Sequence, residues 1–423
     1  MRLYQGARSQ CYRLYKYSSF WGVRALQIAL SPIVLIRIDT MRAGRIGHLI
    51  SETEQVLGQL TLNPNPVHRR IKNYITVPKF VCNDFLMEKY IELLERMPDT
   101  RVLSSKFHGR FSPVALAGTE TRRRVFKGAE SVRWYCGPRT NGGQFMANEP
   151  LSLKPFLSLP VEVTAEGWRI LEGTGFTTER PLVCLHIRDG AYLLESHPKA
   201  GDWSYHDYRD PQIEGYEELV RYLLDEGYSV VRTGSVTDKR MSIEDPNFLD
   251  YPFSSVKSDW MDVFLYSVCD FAIAGSLSGI DLLATLMRKP VAICDLRPLY
   301  LPSYKRDLSV FIFSRLRWRN SGIDLTLRET LNNLHSMTSD FDDAGIEILP
   351  NSAQELIDVA QELISLRAGE LENSDADSVN EESFWRIFGE QNQALEITAS
   401  GPEFFPRIGM GFLQRHAEAL ALR

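Results

Sequence analysis

The chain is poor in cysteine. Six are spread over 423 residues (Cys11, Cys82, Cys136, Cys184, Cys269, Cys294), and no two form a C-x-x-C pair. That excludes a zinc ribbon and a thioredoxin motif and suits a reducing cytosol. It also lacks a long apolar run. The best stretch, Phe20 to Ile36, is broken by Arg24, Gln27, Ser31 and Pro32, whereas a membrane-spanning helix wants about 20 largely uncharged residues. The same interruptions, with no clear small-residue cleavage site, speak against a secretory signal. There is no excess of positive charge. Lysine and arginine number 48 against 54 acids, the net charge is -6 and the pI about 5.9, which argues against a dedicated nucleic-acid binder. No G-x-S-x-G, no H-E-x-x-H and no strand-linked G-x-G-x-x-G is present. Hydrolase, zincin and ordinary dinucleotide-dehydrogenase chemistry therefore lack their signatures. A metal-dependent sugar transferase would carry D-x-D after a strand. Asp340-Phe-Asp-Asp343 has that spacing but no apolar strand before it, and reads as a loop.

What is present is an ordinary globular composition, 44% hydrophobic and 24% charged, with length enough for one or two sizeable cores. Its charge is unevenly placed. The first carboxylate is Asp39, after Arg2, Arg8, Arg13, Lys16, Arg24 and Arg37 interleaved with aromatics. Two readings stand for residues 1–30: a basic aromatic segment lying on an anionic membrane surface, or a helix packed on the first domain. Residues 368–383 are the reverse, with acids and no base, and read as a solvated acidic linker. Residues 384–423 turn apolar and aromatic again, which predicts a helical tail packing back on the body.

Between these lies an alternation of strand and helix patterns. Pro32–Ile38 is a β-branched run, followed by the glycine turn Arg42-Ala-Gly-Arg-Ile-Gly-His48 and a helix from about 46 to 60. Residues 104–160 are rich in Gly, Pro and Arg and lead to a linker near 150–160. The signal then sharpens. Strands are predicted at 181–186, 228–232, 270–274 and 290–294, and helices at 164–173, 213–226, 259–268, 280–287 and 352–367. Alternation of this kind implies βαβ units and parallel sheets. The expected architecture is α/β, with a domain over 31–160 and a second over 161–367.

Ligands of open α/β sheets bind beyond the carboxyl ends of the strands. Three such ends carry polar or glycine residues: His186-Ile-Arg-Asp-Gly190, Arg232-Thr-Gly-Ser235 and Gly275-Ser-Leu-Ser-Gly279. The third precedes a helix pattern, where backbone N–H groups and the helix dipole suit a phosphate. Arg188 supplies the matching cation. Taken singly, each has a plainer reading: a capped helix, a hydrogen-bonded structural histidine, a surface Arg188–Asp189 pair.

His186-Ile-Arg-Asp-Gly resembles the H-x-R strand-end motif of fucosyltransferase-type enzymes of the glycosyltransferase B architecture. Arg45-Ile-Gly-His resembles their glycine turn. The block from Tyr208-Arg-Asp-Pro through Thr233-Gly234 and Asp262–Gly279 resembles bacterial glycosyltransferases of surface-polysaccharide gene clusters. The likeness covers roughly residues 30–60 and 165–300. It implies two Rossmann-like domains facing a central cleft, acceptor side first. It further implies a metal-independent, inverting hexosyl or deoxyhexosyl transfer from a nucleotide diphosphate sugar to a glycan or lipid-linked acceptor. No cofactor, metal or nucleic-acid partner is expected. The enzyme would be cytoplasmic, peripheral at the inner face of the membrane. The resemblance places the donor on His186, Arg188, Asp189, Arg209, Thr233, Gly234, Ser235, Gly275, Ser276, Ser278 and Gly279. Arg42, Gly44, Arg45 and Gly47 would form the acceptor-side loop. Asp39 is the expected general base, with His48 and Asp189 as alternatives, and Arg188 steadies the leaving diphosphate. H-x-R-x-x-D or H-x-R-x-G-D is common in the fucosyltransferase pattern. Asp189-Gly190 departs from it, which speaks against GDP-fucose as donor. The competing readings are a non-hydrolysing nucleotide-sugar epimerase and a non-catalytic nucleotide-sugar-binding module.

Overall fold

A computed structural model describes residues 25–26, 29–30, 33–62, 70–104, 153–196, 203–297, 306–335, 337–371, 374–394 and 405–422. The expected membrane-surface segment 1–30 lies almost wholly outside them. Among the described residues no helix is long and apolar enough to cross a membrane. The chain divides into two compact units, Met1–Cys136 and Gly137–Arg423. The division falls before the 150–160 linker read from sequence, in residues outside the description.

The first unit is a three-stranded parallel sheet in the order β1 (Val34–Thr40), β2 (Arg70–Thr76), β3 (Thr100–Leu103). Helix α1 (Ile46–Leu62) links the first two strands and α2 (Asp84–Arg96) the second pair. Asn83 caps α2, its side-chain oxygen accepting the Leu86 N–H at 2.8 Å. Helix α1 is buried from Leu49 through Gly58, polar Ser51, Glu52, Thr53, Glu54 and Gln55 included. Tyr90 donates its hydroxyl to Glu54 at 3.2 Å, which gives one of those buried acids a partner.

The second unit holds a seven-stranded sheet. Its strands in chain order are β4 (Leu182–Ile187), β5 (Ser229–Thr233), β6 (Phe248–Asp250), β7 (Phe271–Gly275), β8 (Val291–Leu296), β9 (Ser309–Phe313) and β12 (Arg407–Ile408). Their spatial order is β12-β9-β8-β7-β4-β5-β6, and every pair is parallel. Read from β4 outward, this is the doubly wound Rossmann order, with β4 and β7 flanking the point where the winding reverses. β4, β7, β8 and β9 are almost wholly apolar and buried, as a sheet covered on both faces requires, and β5 is buried although it carries Ser229, Arg232 and Thr233.

Helices α3 (Val161–Glu172), α5 (Ile213–Asp225), α6 (Asp259–Val268) and α10 (Ala353–Ala368) lie at the expected positions. α5 buries Tyr216, Leu219, Val220, Leu223 and Leu224. It ends at Gly227, whose φ of +85° closes the last turn through its N–H to the Leu224 carbonyl. Short α4 (Ala191–Ser196) follows β4, and short α7 (Leu282–Leu286) precedes β8.

Two sequence expectations change here. Asp340-Phe-Asp-Asp343 is not a loop but belongs to α9 (Thr338–Asp343). Its Phe341 packs on Tyr208, ring centroids 5.3 Å apart, in a small satellite core with Leu316, Leu325 and Ile346. That core joins the antiparallel pair β10 (Arg315–Trp318) and β11 (Ile346–Leu349) to α9 and to Tyr208, with α8 (Leu327–Asn332) lying between the two strands in the chain. The acidic stretch is likewise not all linker. Helix α11 runs from Asp375 to Ala394. Ser374 and Asp377 exchange side-chain-to-amide hydrogen bonds at its start; Asp375 and Glu382 face solvent, Asp377 is buried, and Phe384 reaches the core. Phe384 is fully buried and meets Phe311 and Phe313 of β9.

The last helix, α12 (Met410–His416), is anchored by charge. His416 Nε2 bonds Glu355 Oε1 at the start of α10. Burial alone would raise the Glu355 carboxyl. Bonds from His416 and from the Ser352 hydroxyl and N–H outweigh it and bring the group down to about 2. A depressed carboxyl stabilises the fold above its unfolded value and loses that contribution as pH falls toward the folded value. Thermal unfolding should therefore show a loss of stability between about pH 4.5 and pH 2 that Glu355→Gln removes, and an unchanged acid limb in that variant would contradict the anchor. Phe384→Ala should cost about 3–5 kcal/mol in urea denaturation if the tail completes the core. A change within about 0.5 kcal/mol would mean that it does not.

Candidate functional site

The site is assembled at the carboxyl ends of β4, β7 and β8. Beyond β4 the chain turns at Arg188, whose N–H bonds the Gly275 carbonyl at 3.1 Å and so ties the loop to the end of β7. The two sides of the switch point meet there. Gly275 itself is required by packing. A Cβ on it would lie 2.8 Å from the Tyr216 hydroxyl, too close for any side chain. That hydroxyl donates to Asp295 Oδ2 at 2.8 Å. Asp295 Oδ1 takes the Asn351 N–H and the Ser314 hydroxyl at 2.7 and 3.0 Å. Buried Asp295 is thus fully engaged, and it turns the chain, at φ +49°, toward Arg297. Ser276, next to it across the sheet, is also strained, at φ +62°. Two non-glycine residues in this backbone region at neighbouring strand ends mark a place where the fold holds the chain against its local preference.

Three arginines converge here. Arg188 is almost buried and pairs with Asp210 rather than with adjacent Asp189. Arg209 donates Nη2 to the Leu277 carbonyl at 2.5 Å. Burial foremost, then the Arg188 charge, pulls Arg209 down to about 10, with Arg297 acting in the same direction. Arg297 is 8% exposed and is lowered chiefly by burial, against the raising effect of Asp295. Arg209 Nε and Arg297 Nε and Nη2 are buried with no hydrogen-bond partner among the described residues. Orphaned guanidinium N–H groups of this kind are rare in a native fold and call for an acceptor. Asp210 is raised to about 6, by burial first, by Asp207 and Asp189 next, with Arg188 and Arg297 opposing.

The 3-10 turn Ser204–Arg209 sets this geometry. Tyr208 sits in the satellite core, its N–H bonds the Thr338 hydroxyl at 3.2 Å, and that hydroxyl donates to the Ser204 carbonyl at 2.8 Å. The α9 segment thus fixes the residue preceding Arg209 and Asp210.

The other sequence-predicted donor residues fall around this centre with varied roles. His186 Nδ1 lies 3.1 Å from the Thr233 carbonyl, so Nδ1 carries the proton and Nε2 the lone pair. Burial lowers the ring to about 4, with the Arg232 and Arg188 charges adding to it, so it is no cation at neutral pH. Asp189 caps α4. Its oxygens accept the Ala191 and Asp238 amides at 3.0 and 3.3 Å, which makes it a structural carboxylate rather than a base. Thr233 is buried, its hydroxyl bonded to the Leu185 carbonyl and the Tyr266 hydroxyl. Gly234 turns at φ +140° beside the His186 ring, and exposed Ser235 accepts Lys257 Nζ at its carbonyl, 2.6 Å.

The expected phosphate cradle at 276–279 is corrected. The Ser276 N–H goes to the Cys294 carbonyl at 2.8 Å and the Ser278 N–H to Asp281 Oδ2 at 2.9 Å. Gly279 lies in the turn, and α7 begins only at Leu282 and spans five residues. Both amides are thus already taken by protein acceptors.

In the first unit, Asp39 occupies β1 opposite Ile75, and its side chain lies outside the described residues. Arg42 Nε and His48 Nδ1 both approach Glu52 Oε1, at 2.7 and 3.2 Å, Glu52 being buried. Neither is aligned as a hydrogen bond, so the grouping is electrostatic. Gly44, Arg45 and Gly47 form the turn and first residues of α1. Sequence reading missed Arg297 and Asp210. Arg297 had a signal: it follows β8 as Arg188 follows β4.

No family model and no curated protein matches the chain. Among solved structures it is similar to a family 9 glycosyl transferase from Veillonella parvula, at 11% identity and TM-score 0.45, over 80% of this chain and 98% of that one. It is also similar to the E. coli heptosyltransferase WaaC with ADP-2-deoxy-2-fluoro heptose, at 12% identity and TM-score 0.33, over 66% and 93%. The iron-containing dodecameric glycosyltransferase TibC of enterotoxigenic E. coli is similar at 16% identity and TM-score 0.28, over 62% and 57%.

The histidine assignment is directly testable. Ring 15N spectra should show His186 neutral, with no titration above about pH 5, and a midpoint near the unperturbed 6.5 would contradict it.

Proposed function

We propose that the protein is a glycosyltransferase that takes its sugar from a nucleotide diphosphate donor. One observation carries the reading. Buried arginine N–H groups without acceptors among the described residues gather at the switch point of a Rossmann-order sheet. Guanidinium groups match phosphate oxygens in planar, bidentate geometry, and the switch point is where such sheets take nucleotides. The motif resemblance of His186-Ile-Arg supports the same reading.

The chemistry follows from the charges. Sugar transfer leaves a diphosphate behind, and its developing negative charge has to be met. Arg188, Arg209 and Arg297 meet it from positions fixed before the reaction, in a site with little water, where such contacts are strongest. The acceptor hydroxyl needs a base, for which Asp39 and His48 are the proposed groups. Metal-independent, inverting transfer to a glycan or lipid-linked acceptor at the inner membrane face belongs to the same proposal. The membrane part rests on the carboxylate-free basic sequence before Asp39.

Calorimetric titration with UDP-glucose, GDP-mannose and ADP-ribose should detect binding of at least one. Arg297→Gln should weaken it about tenfold to a hundredfold, the loss of a charged hydrogen bond. Folded protein that binds none of these ligands would overturn the reading. Arg188→Ala should abolish transfer while the far-ultraviolet circular dichroism stays unchanged. Tight binding without turnover on any acceptor would point to a binding module.

A further inference from the structure

The arginine centre is not simply a positive hole. Around it stand Asp189 after β4, Asp207 and Asp210 of the Ser204–Arg209 turn and the residue following it, and Asp295 of β8, facing Arg188, Arg209 and Arg297. Two of these carboxylates are held elsewhere. Asp189 accepts the Ala191 and Asp238 amides, and Asp295 accepts Tyr216, Ser314 and Asn351. Asp207 is exposed. Asp210 pairs directly with Arg188 of the centre.

The backbone of Asp210 is fixed. Its N–H bonds the Asp207 carbonyl at 2.9 Å, Pro211 follows, and Tyr208 two residues before is locked in the satellite core. A Cβ on Gly190 would lie 3.4 Å from Asp210 Oδ2, so the carboxylate also lies against the β4 loop. The short side chain cannot travel far from the arginines when a ligand arrives. We propose that Asp210 is the resident counter-ion of this centre, that a diphosphate displaces it from Arg188, and that it takes up a proton as the diphosphate binds. The inference rests on the functional reading above.

The physical reason is charge balance. A diphosphate diester brings two negative charges into a site where four carboxylates already face three arginines. Asp210 then loses its cation to the ligand and stands beside a new anion. Both changes favour its neutral form. Its carboxyl is already raised to about 6, chiefly by burial. In the complex it lies higher, so a proton enters at neutral pH. By linkage, affinity rises as pH falls from the bound value toward the free one and levels off below the free one.

The test uses the full chain and diphosphate diesters, ADP-ribose, UDP-glucose and GDP-mannose, whose phosphates do not titrate in this range. Calorimetry at about pH 5.5 and about pH 8 should show binding about tenfold tighter at the lower pH. Repeating it near pH 7 in buffers of different ionisation enthalpy should show net proton uptake of up to one per complex. Asp210→Asn mimics the protonated form. It should bind at pH 8 as tightly as the wild type does at the lower pH, with no proton uptake. Arg188→Lys, which keeps the charge, should weaken binding but retain the uptake. Wild-type binding without pH dependence, or an Asp210→Asn protein that binds more weakly or still takes up a proton, would overturn the counter-ion while leaving the functional reading intact. Failure of wild type and Asp210→Asn alike to bind any of the three ligands at either pH would overturn both.

Discussion

A guanidinium group does not give up its proton inside a protein, so a fold that buries three of them together must find acceptors for them. The second unit does so only in part. Asp210 takes Arg188, and the Leu277 carbonyl takes one nitrogen of Arg209. The remaining buried N–H groups of Arg209 and Arg297 have no protein acceptor among the described residues. Leaving a buried donor unmet costs about 1–3 kcal/mol, and more where it is charged. A ligand rich in acceptors recovers that cost on binding.

Holding the centre open is the work of the elements around it. The parallel sheet brings β4, β7 and β8 side by side, so their carboxyl ends deliver Arg188, Gly275 and Arg297 to one place. The strain at Ser276 and Asp295 sits at the same edge. Asp295 is held by hydrogen bonds from Tyr216 of α5, from Asn351 just before α10 and from Ser314 just after β9, and Ser276 by its N–H to the Cys294 carbonyl. The Arg209–Asp210 arm is steadied from elsewhere, by the satellite core of β10, β11 and α9. The cores of the second unit thus support one charged site.

Much of the frame was legible in the residue pattern. β4, β5, β7 and β8 lie within one or two residues of their expected places, because strands buried on both faces are continuous apolar runs. Helices α5, α6 and α10 were equally plain from spacing and caps. Past residue 294 the reading weakened. β9, β10 and β11 went unassigned, α9 was read as a loop and α11 as part linker. α9 has one apolar anchor, Phe341, and is held by packing on Tyr208 rather than by any periodicity. In α11 Asp375 and Glu382 do face water, but Asp377 is buried at the helix start, and one face of the same segment is apolar and reaches β9.

The same division runs through the site. The sequence by itself determined that polar and glycine residues end the strands, and with that Arg188, His186 and Gly275. These follow from chain order alone, because the residue after a parallel strand must emerge at its carboxyl edge. Only the tertiary structure decided what each of them does. His186 is a neutral donor, Asp189 a cap, Thr233 a buried link, and the Ser276 and Ser278 amides are taken by the Cys294 carbonyl and the Asp281 carboxylate. It alone joined Arg209, Asp210 and Arg297 to Arg188, residues up to 109 positions apart. Pairing and burial depend on which distant segments meet, and a charge reads the same in sequence whether it faces water or another charge.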